Sequence, residues 1–272
     1  MAGLISGAER PNVLVGISLL CEGKYYTHVD QQVDALCALP SVKVATNCHS
    51  VEKKTFENKP CLILQENILG HKGVFWKRTF TQEIMRGFDF LWLIDSDLNL
   101  QTFNLRRFLS NVQRVNLSIV QPTVIASKAS KRPKGSTVKG LNFGRKDNCE
   151  IRRVGFVEMM MPIISANYWG FVRDEILGAV PDKHLARNMW CIDKVWCHTC
   201  DRGCGLSNEL MEHLNFNTID LLGASNRSVV KVGRGFGMTC YILNRKFPSL
   251  NLGSRDPIPA PTENNRCLLQ ST

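Results

Sequence analysis

Apolar and polar positions in the first half of the chain alternate in a pattern that predicts strands and helices in turn. Short apolar runs indicate buried strands at residues 12–19, 42–45, 61–64, 90–94 and 117–125. Apolar residues at helical spacing predict helices at residues 28–39, 74–85 and 103–115. Such alternation implies a mostly parallel central sheet flanked by helices, so the sequence predicts an α/β fold.

The second half is less regular. The apolar run at residues 154–165 predicts a strand that carries Glu158, and a helix is predicted over residues 167–177. The C-terminal segment is polar and Pro-rich, which predicts an irregular surface tail. We therefore expect one domain of two halves, followed by a tail: residues 1–251, with halves at 1–127 and 147–251, and residues 252–272.

The strand predicted at residues 90–94 ends in Asp95-Ser96-Asp97. Because side chains alternate along a strand, Asp95 and Asp97 are expected on one face, about 6–7 Å apart. Such carboxylates repel each other unless a cation lies between them, and Mg²⁺ or Mn²⁺ binds carboxylates together with substrate phosphates. A solvated turn is the alternative, since Asp and Ser are common turn formers. The buried strand before the pair favours a metal–diphosphate site.

Three residues at the end of the first predicted strand are candidates for the same site. Ligands of parallel sheets bind at the carboxyl ends of strands. Gly16, Ile17 and Ser18 would there border a bound ligand, although as core-strand residues they need no function. The strand is followed by neither G-x-G-x-x-G nor a Walker A lysine, which argues against a dinucleotide fold and a P-loop NTPase.

The formal net charge of +10 indicates a polyanionic partner: nucleic acid, a membrane surface or a nucleotide diphosphate. Much of the excess lies at residues 128–146. The sequence shows no aromatic-interleaved basic strand and no recognition helix, which argues against nucleic acid. It also shows no apolar run long enough for a membrane span and no signal-peptide core at the N-terminus, so a cytoplasmic protein is expected.

Eleven cysteines are spread without regular spacing. In a cytoplasmic protein this predicts mostly reduced thiols, packed as small apolar groups. Cys197, Cys200 and Cys204 form a cluster that can hold zinc, but no second Cys-x-x-Cys pair accompanies it, so a disulfide or free thiols are preferred. The sequons at Asn116 and Asn226 have no consequence in a chain that never enters a secretory compartment.

One acid is isolated in the apolar segment at residues 189–196. Asp193 lies among Trp, Ile and Val, and burying a lone carboxylate costs free energy. It either caps a helix or pairs with Lys194 or Arg187, or it is a catalytic base. The last interpretation follows because a partly desolvated carboxyl has a raised pKa, suited to accepting a proton near neutrality.

Residues 75–124 resemble a plant and bacterial family of glycosyltransferases with the core W-x-K-R…(F/Y)-D-(F/Y)-(I/L)-x-x-x-D-x-D-L. Glu158 lies in a stretch similar to that family's F-V-E-x-M-x-P-(I/V)-(F/I)-S-x-x-x-W. Asp193 takes the Asp position of its G-W-G-(L/M)-D segment. These matches follow one another in the same order, and the wider resemblance is to GT-A glycosyltransferases, including those of large DNA viruses.

The resemblance implies a GT-A fold, with a nucleotide-sugar-binding half at residues 1–127 and an acceptor-binding, catalytic half at residues 147–251. It implies a nucleotide-sugar donor, usually a UDP-sugar, a carbohydrate acceptor, and Mn²⁺ or Mg²⁺ at Asp95 and Asp97. Asp193 would deprotonate the acceptor hydroxyl for an inverting transfer. Glu158 would be the alternative base or would bind acceptor hydroxyls.

The remaining expectations concern phosphates, metal and sugar. Lys77 and Arg78 would bind the diphosphate, unless they form a solvated helix face. Where the family has a late histidine, this chain has Asn226, whose carbonyl coordinates Mn²⁺ less strongly than imidazole. One of three tryptophans could stack on a sugar: Trp169, Trp190 or Trp196. Tryptophans at such spacing are more often part of a core. Paired aspartates are also compatible with a metal-dependent phosphohydrolase of nucleotide-sugars.

Overall fold

The computed structural model describes residues 11–49, 54–126, 148–214, 238–250, 252 and 266–270. The strands are β1 (Val13–Leu19), β2 (Val42–Cys48), β3 (Leu62–Glu66), β4 (Phe90–Asp95), β5 (Leu98–Asn99), β6 (Ile119–Ala126), β7 (Cys149–Val154), β8 (Ile163–Ser165), β9 (Cys204–His213) and β10 (Cys267–Gln270). The α-helices are α1 (Gly23–Cys37), α2 (Lys72–Thr79), α3 (Leu105–Val115), α4 (Ala166–Phe171), α5 (Asp182–Leu185) and α6 (Ile192–Thr199). A π-helical segment, Val172–Leu177, continues α4, and residues 238–246 are also helical.

All these strands belong to one sheet, in the order β10-β7-β9-β6-β8-β4-β1-β2-β3, with β5 paired to β9. The segment β4-β1-β2-β3 is parallel throughout. The other half is mixed: β6 and β9 run parallel, whereas β8 is antiparallel to both β4 and β6. The predicted α/β class, with parallel core strands and flanking helices, is confirmed.

Helices cover both faces of the parallel strands, which is why these strands are apolar on both sides. Along β4, Trp92 and Ile94 pack in one cluster with residues of α1 and α3. Leu91 and Leu93 point to the opposite face and pack in a second cluster with residues of α2, α4 and α6. The continuous apolar run in the sequence is therefore explained by burial on two faces.

The prediction of one continuous strand over residues 154–165 is wrong. Strand β7 ends at Val154 and β8 begins only at Ile163, so Glu158 lies in the connection between them. Gly155 and Pro162 stand at the ends of this connection, and both residue types disfavour a strand interior. The connection is held by local contacts instead, since the Glu158 amide donates to Gln121 Oε1 at 2.7 Å.

The C-terminal strand β10 lies in the segment for which the sequence predicts an irregular tail. It pairs antiparallel with β7 at the edge of the sheet. A disulfide between Cys149 and Cys267 joins the same two strands. The C-terminal part of the chain thus extends the sheet that carries the candidate site.

The prediction of mostly reduced thiols is wrong, because ten of the eleven cysteines form disulfides. The pairs are Cys21–Cys48, Cys37–Cys61, Cys149–Cys267, Cys191–Cys240 and Cys197–Cys204. Four of them join residues more than twenty positions apart, which spacing alone cannot reveal. Five disulfides are typical of an oxidising compartment and argue against the cytoplasmic prediction. None of the helices in the described residues has the length and apolar character needed to span a bilayer.

Candidate functional site

The carboxyl end of β4 carries the Asp-Ser-Asp motif. Asp95 is the last residue of β4, and a turn follows at Ser96 and Asp97. Strands β1 and β4 are parallel neighbours, so Ser18 lies directly beside Asp95 in the sheet. The end of the first strand and the acidic motif therefore meet at the edge where α/β sheets bind ligands.

Asp97 is paired with a histidine that the sequence did not predict at this site. His213 Nε2 lies 3.2 Å from Asp97 Oδ2, and both side chains are largely buried. The pairing follows from the sheet, because β5 is antiparallel to β9 and aligns Leu98 with His213. No local motif marks His213, and only strand pairing could have identified it.

Asp95 is paired with a lysine that was likewise missed. The Lys72 ammonium is ion-paired with Asp95 Oδ1 and also donates to the Met159 carbonyl at 2.8 Å. It lies 5.1 Å from the centroid of the Trp76 ring, a contact that favours the cation. Burial raises the pKa of Asp95; Lys72 opposes this rise and the nearby Asp97 charge adds to it. The two aspartates are thus electrostatically coupled, each with its own partner.

Lys77 and Arg78 do not reach this cluster. Lys77 Nζ lies 2.9 Å from Asp182 Oδ1 and 3.1 Å from the Val180 carbonyl. Arg78 binds the other oxygen of Asp182 at 2.7 Å. Burial raises the pKa of Asp182, but hydrogen bonds from Lys77 and Arg78 outweigh this and leave it lowered. These two cations join α2 to α5, which leaves Lys72 as the cation of α2 at the acidic motif.

The three candidates in β1 differ in their surroundings. Ile17 is fully buried in the core, and a Cβ on Gly16 would lie 2.5 Å from Phe80 Cζ. Neither residue presents a side chain to the sheet edge. Ser18 does lie at the edge, with its hydroxyl 3.2 Å from His49 Nδ1. Of the three, Ser18 is the one whose side chain can meet a ligand.

Two histidines near this edge are uncharged at neutral pH: His49, which contacts Ser18, and His71, which lies within electrostatic range of His49. Burial lowers the pKa of His49 to about 4 and that of His71 to about 3. The buried Nδ1 of His71 has no hydrogen-bond partner among the described residues. The edge next to β1 therefore offers neutral polar groups, whereas the end of β4 offers charged ones.

Glu158 and Asp193 lie within electrostatic range of each other and of Lys72. Burial, followed by the charge of Asp193, raises the pKa of Glu158 to about 7, and Lys72 opposes this rise. Burial raises the pKa of Asp193 to about 6, against hydrogen bonding from the Lys194 backbone. Glu158 Oε2 is buried without a hydrogen-bond partner in the described residues. The structure brings two carboxyls that titrate near neutrality to the Asp95–Lys72 pair.

Asp193 is held by its backbone setting. It lies in the first turn of α6, after Cys191 in the left-handed conformation at φ 78°. The Cys191–Cys240 disulfide fixes that residue to the helix at residues 238–246. Trp196 lies on α6, and its Nε1 donates to the Val157 carbonyl at 2.9 Å, so α6 also holds the connection that carries Glu158.

The three candidate tryptophans divide clearly. Trp169 and Trp196 are buried core residues, and each donates its ring N–H to a backbone carbonyl. Trp190 is 56% exposed and lies three residues before Asp193. Of the three, Trp190 has a ring that can contact a ligand.

Two further candidate groups have other outcomes. Cys197 and Cys204 form a disulfide, and the Cys200 thiol lies 3.9 Å from Cys204 Sγ. Disulfide sulfurs are not thiolate ligands, so this cluster is the predicted disulfide rather than a zinc site. Asn226 and the basic segment at residues 128–146 lie outside the described residues.

The donors at the β4 edge suit a divalent cation in part. Among the described residues, no group of three His, Cys, Asp or Glu side chains forms a complete metal site. Asp97 and His213 nevertheless bring one oxygen and one nitrogen donor together at 3.2 Å. Carboxylate with imidazole suits Mn²⁺, and Mg²⁺ commonly takes one or two carboxylates plus substrate phosphates. Asp97 and His213 fit a cation whose remaining ligands come from a substrate.

Comparisons with known proteins give a family of undefined function and a set of remote structural similarities. A profile of the family described as "Protein of unknown function (DUF707)" matches residues 65–183, a range that includes Lys72, Asp95, Asp97 and Glu158. None of the curated proteins compared with the chain matches it significantly.

Solved structures similar to this chain include S. aureus TarS, alone and with UDP, and GalNAc-T7. S. aureus TarS 1–349 is 12% identical, with a TM-score of 0.47 over 87% of this chain and 72% of that one. The same protein in complex with UDP is 11% identical, with a TM-score of 0.49 over 87% and 70%. GalNAc-T7 with UDP, GalNAc and Mn²⁺ is 11% identical, with a TM-score of 0.49 over 76% of this chain and 44% of that one.

Proposed function

We propose that the protein is a GT-A glycosyltransferase that moves a sugar from a nucleotide-sugar, a UDP-sugar, to a hydroxyl group of a carbohydrate acceptor. The observation that carries the proposal is the convergence of a carboxylate–imidazole pair, an ion pair and two titratable carboxyls at the carboxyl end of β4. The pairs are Asp97–His213 and Lys72–Asp95. The carboxyls are Glu158 and Asp193.

Donor binding needs positive charge for the diphosphate and neutral polar groups for the nucleoside. Lys72 supplies an ammonium at the end of β4, and a charge-assisted hydrogen bond to phosphate is among the stronger protein hydrogen bonds. Ser18 and His49 supply neutral donors and acceptors at the end of β1. A nucleotide lying along this edge would place its base near β1 and its diphosphate near Lys72.

Asp97 and His213 would hold Mn²⁺ or Mg²⁺, with Asp95 close by. Such a cation, when bound, offsets negative charge on the leaving diphosphate. Asp95 differs from Asp97 in already having Lys72 as its counter-ion. We therefore assign Asp97 and His213 as the direct ligands and Asp95 as the residue that orients the Lys72 ammonium.

Asp193 is the proposed general base. With a pKa of about 6 it is mostly ionised at pH 7, yet it remains basic enough to accept a proton from an attacking hydroxyl. Glu158, with a pKa of about 7, retains a proton on a substantial fraction of molecules and can donate a hydrogen bond to the acceptor. Attack by the hydroxyl opposite the leaving diphosphate would invert the anomeric carbon.

The exposed Trp190 is the proposed acceptor platform. Its ring lies close in sequence to Asp193, and aromatic faces bind the apolar face of a sugar ring. Trp190 would then hold the acceptor while Asp193 receives its proton. Loss of this ring should raise KM for the acceptor more than KM for the donor.

The test is a screen of nucleotide-sugars by thermal shift with and without Mn²⁺, followed by measurement of nucleotide diphosphate release. We expect UDP-dependent stabilisation that increases with Mn²⁺, and release that carbohydrate acceptors accelerate. Asp97→Ala and Asp193→Asn should abolish transfer while circular dichroism stays unchanged. Asp182→Asn is the matched control, because Asp182 bonds Lys77 and Arg78 away from the site.

The same screen separates the alternative activities. Hydrolysis of the nucleotide-sugar at its diphosphate, to a nucleoside monophosphate and a sugar 1-phosphate, at a rate that no acceptor changes would instead identify a phosphohydrolase of nucleotide-sugars. If no nucleotide stabilises the protein, and Asp97→Ala is as active on nucleotide-sugars as the wild type, then both a transferase and a phosphohydrolase at this site are excluded.

A further inference from the structure

We propose that Asn116 carries an N-linked glycan. Asn116-Leu117-Ser118 is an Asn-x-Ser sequon. The reason to disregard it was the expectation of a cytoplasmic chain with reduced thiols. The five disulfides remove that reason, since a chain that forms them in an oxidising secretory compartment also meets the glycosylation machinery there.

Asn116 has a setting that can accommodate a sugar. It is exposed, and it ends α3 in the left-handed conformation at φ 49° and ψ 40°. Asn tolerates this conformation better than most residues. Arg202 Nη1 donates to Asn116 Oδ1 at 2.6 Å. This hydrogen bond uses the oxygen of the side-chain amide and not its nitrogen, Nδ2. Nδ2 is the atom to which an N-linked sugar is joined.

The surroundings of Asn116 are open. It borders a polar cleft of about 500 Å³ whose lining also includes Asn12, Asp89 and Arg202. A glycan stem can therefore leave the surface without displacing a packed side chain.

The burial of Ser118, the last residue of the sequon, implies that Asn116 is modified before the chain has folded. Ser118 is 1% exposed, and its hydroxyl donates to Asp201 Oδ1 at 3.0 Å. Because the sequon hydroxyl must be accessible to the transferring enzyme, the sugar has to be attached before α3 and β6 dock. In that step Asn116 Nδ2 bonds to C1 of a lipid-linked oligosaccharide, the bond from C1 to the lipid diphosphate breaks, and the amide proton is lost.

The glycan would lie near the amino end of β4, whereas the candidate active site lies at the carboxyl end of the same strand. The cleft beside Asn116 includes Phe90, the first residue of β4, whereas Asp95 is its last. Six strand residues span about 17 Å. Modification of Asn116 is therefore expected to leave transfer activity unchanged, and the proposal does not depend on the proposed function.

The experiment uses the full chain purified from its own cells. Treatment with peptide-N-glycosidase in ¹⁸O-water converts a glycosylated Asn into ¹⁸O-labelled Asp, and tryptic mass spectrometry locates the label. We expect the label at residue 116. Asn116→Asp, which keeps a residue tolerant of the left-handed conformation, should lose one glycan in gel mobility. Asn226→Asp is the matched control, because it removes the other sequon and leaves Asn116 intact.

Two results would overturn the proposal. One is an unlabelled Asn116 peptide from disulfide-bonded protein. The other is a gel mobility that does not differ between the unaltered chain and Asn116→Asp. Misfolding does not obscure the result, because the sugar is attached before folding and Asn116 occupancy can be read equally from retained, unfolded chains.

Discussion

His213 Nε2 lies 3.2 Å from Asp97 Oδ2, at the point where β9 passes the turn after β4. The pair places an imidazole beside the second aspartate of the motif, where the sequence predicts a cation held by the two aspartates and the Asn226 carbonyl. If both residues bind the cation, either one alone should hold it weakly.

We predict that His213→Ala lowers the affinity for Mn²⁺ by about tenfold or more, within the range seen when groups around a metal are removed. The imidazole is one of the two side-chain donors that we assign to the ion. Isothermal titration with Mn²⁺ at saturating UDP measures the change. His184→Ala, on α5, is the control and should leave the affinity unaltered. Equal affinities in all three proteins would remove His213 from the ligand set.

Lys72→Met should weaken UDP binding by about ten- to a hundredfold, because a charge-assisted hydrogen bond contributes about 1.5–3 kcal/mol. It also leaves Asp95 without its counter-ion. Lys77→Met is the matched control on the same helix, since Lys77 is ion-paired with Asp182 instead. Both variants should lose some thermal stability, but only Lys72→Met should change the UDP dissociation constant. The same weakening in both would point to a general effect on α2.

The pH dependence of transfer distinguishes the two candidate bases. With Asp193 as the base, kcat/KM should rise tenfold per pH unit below about pH 6 and then level off, because the pKa of Asp193 is about 6. Glu158 has a pKa of about 7 and is mostly protonated over that range. Glu158→Gln should therefore keep activity and the midpoint near pH 6. A midpoint near pH 7 in the wild type, with loss of activity in Glu158→Gln, would assign the base to Glu158.

Stability should change with pH in the direction that the Asp193 pKa dictates. Its folded-state pKa is about 6 against a model value of 3.8, so the native state binds more protons than the unfolded state between these values. The free energy of unfolding therefore falls as pH rises from about 4 to 6. At pH 8, Asp193→Asn should be more stable than wild type by about 1–3 kcal/mol, and at pH 3.5 the difference should vanish.

Asp182→Asn gives the control of opposite sign. The pKa of Asp182 is lowered by its bonds to Lys77 and Arg78, so its ionised form stabilises the native state. This variant should lose stability at pH 8 and little at low pH. Urea denaturation at both pH values measures the two effects, and a destabilised Asp193→Asn at pH 8 would contradict the electrostatic account of this residue.

Much of the fold follows from local pattern. The strands around Val15, Val44 and Trp92 were predictable because each is buried on two faces and is therefore largely apolar. The connection around Glu158 was not, because its apolar residues pack in a loop without strand pairing. Hydrophobic periodicity reports burial, and burial is shared by strands and by well-packed loops.

The sequence by itself determined which acids end a buried strand. A continuous apolar run is typical of a strand buried on both faces of an α/β sheet, and Asp95 and Asp97 follow directly after this run. Tertiary structure alone decided their partners. Lys72 rather than Lys77 reaches Asp95, because Asp182 binds Lys77, and His213 reaches Asp97 only through the pairing of β5 with β9. The same holds for the disulfides that join distant cysteines. Local sequence encodes burial and turn chemistry, whereas the pairing of distant charges and thiols depends on how the strands align.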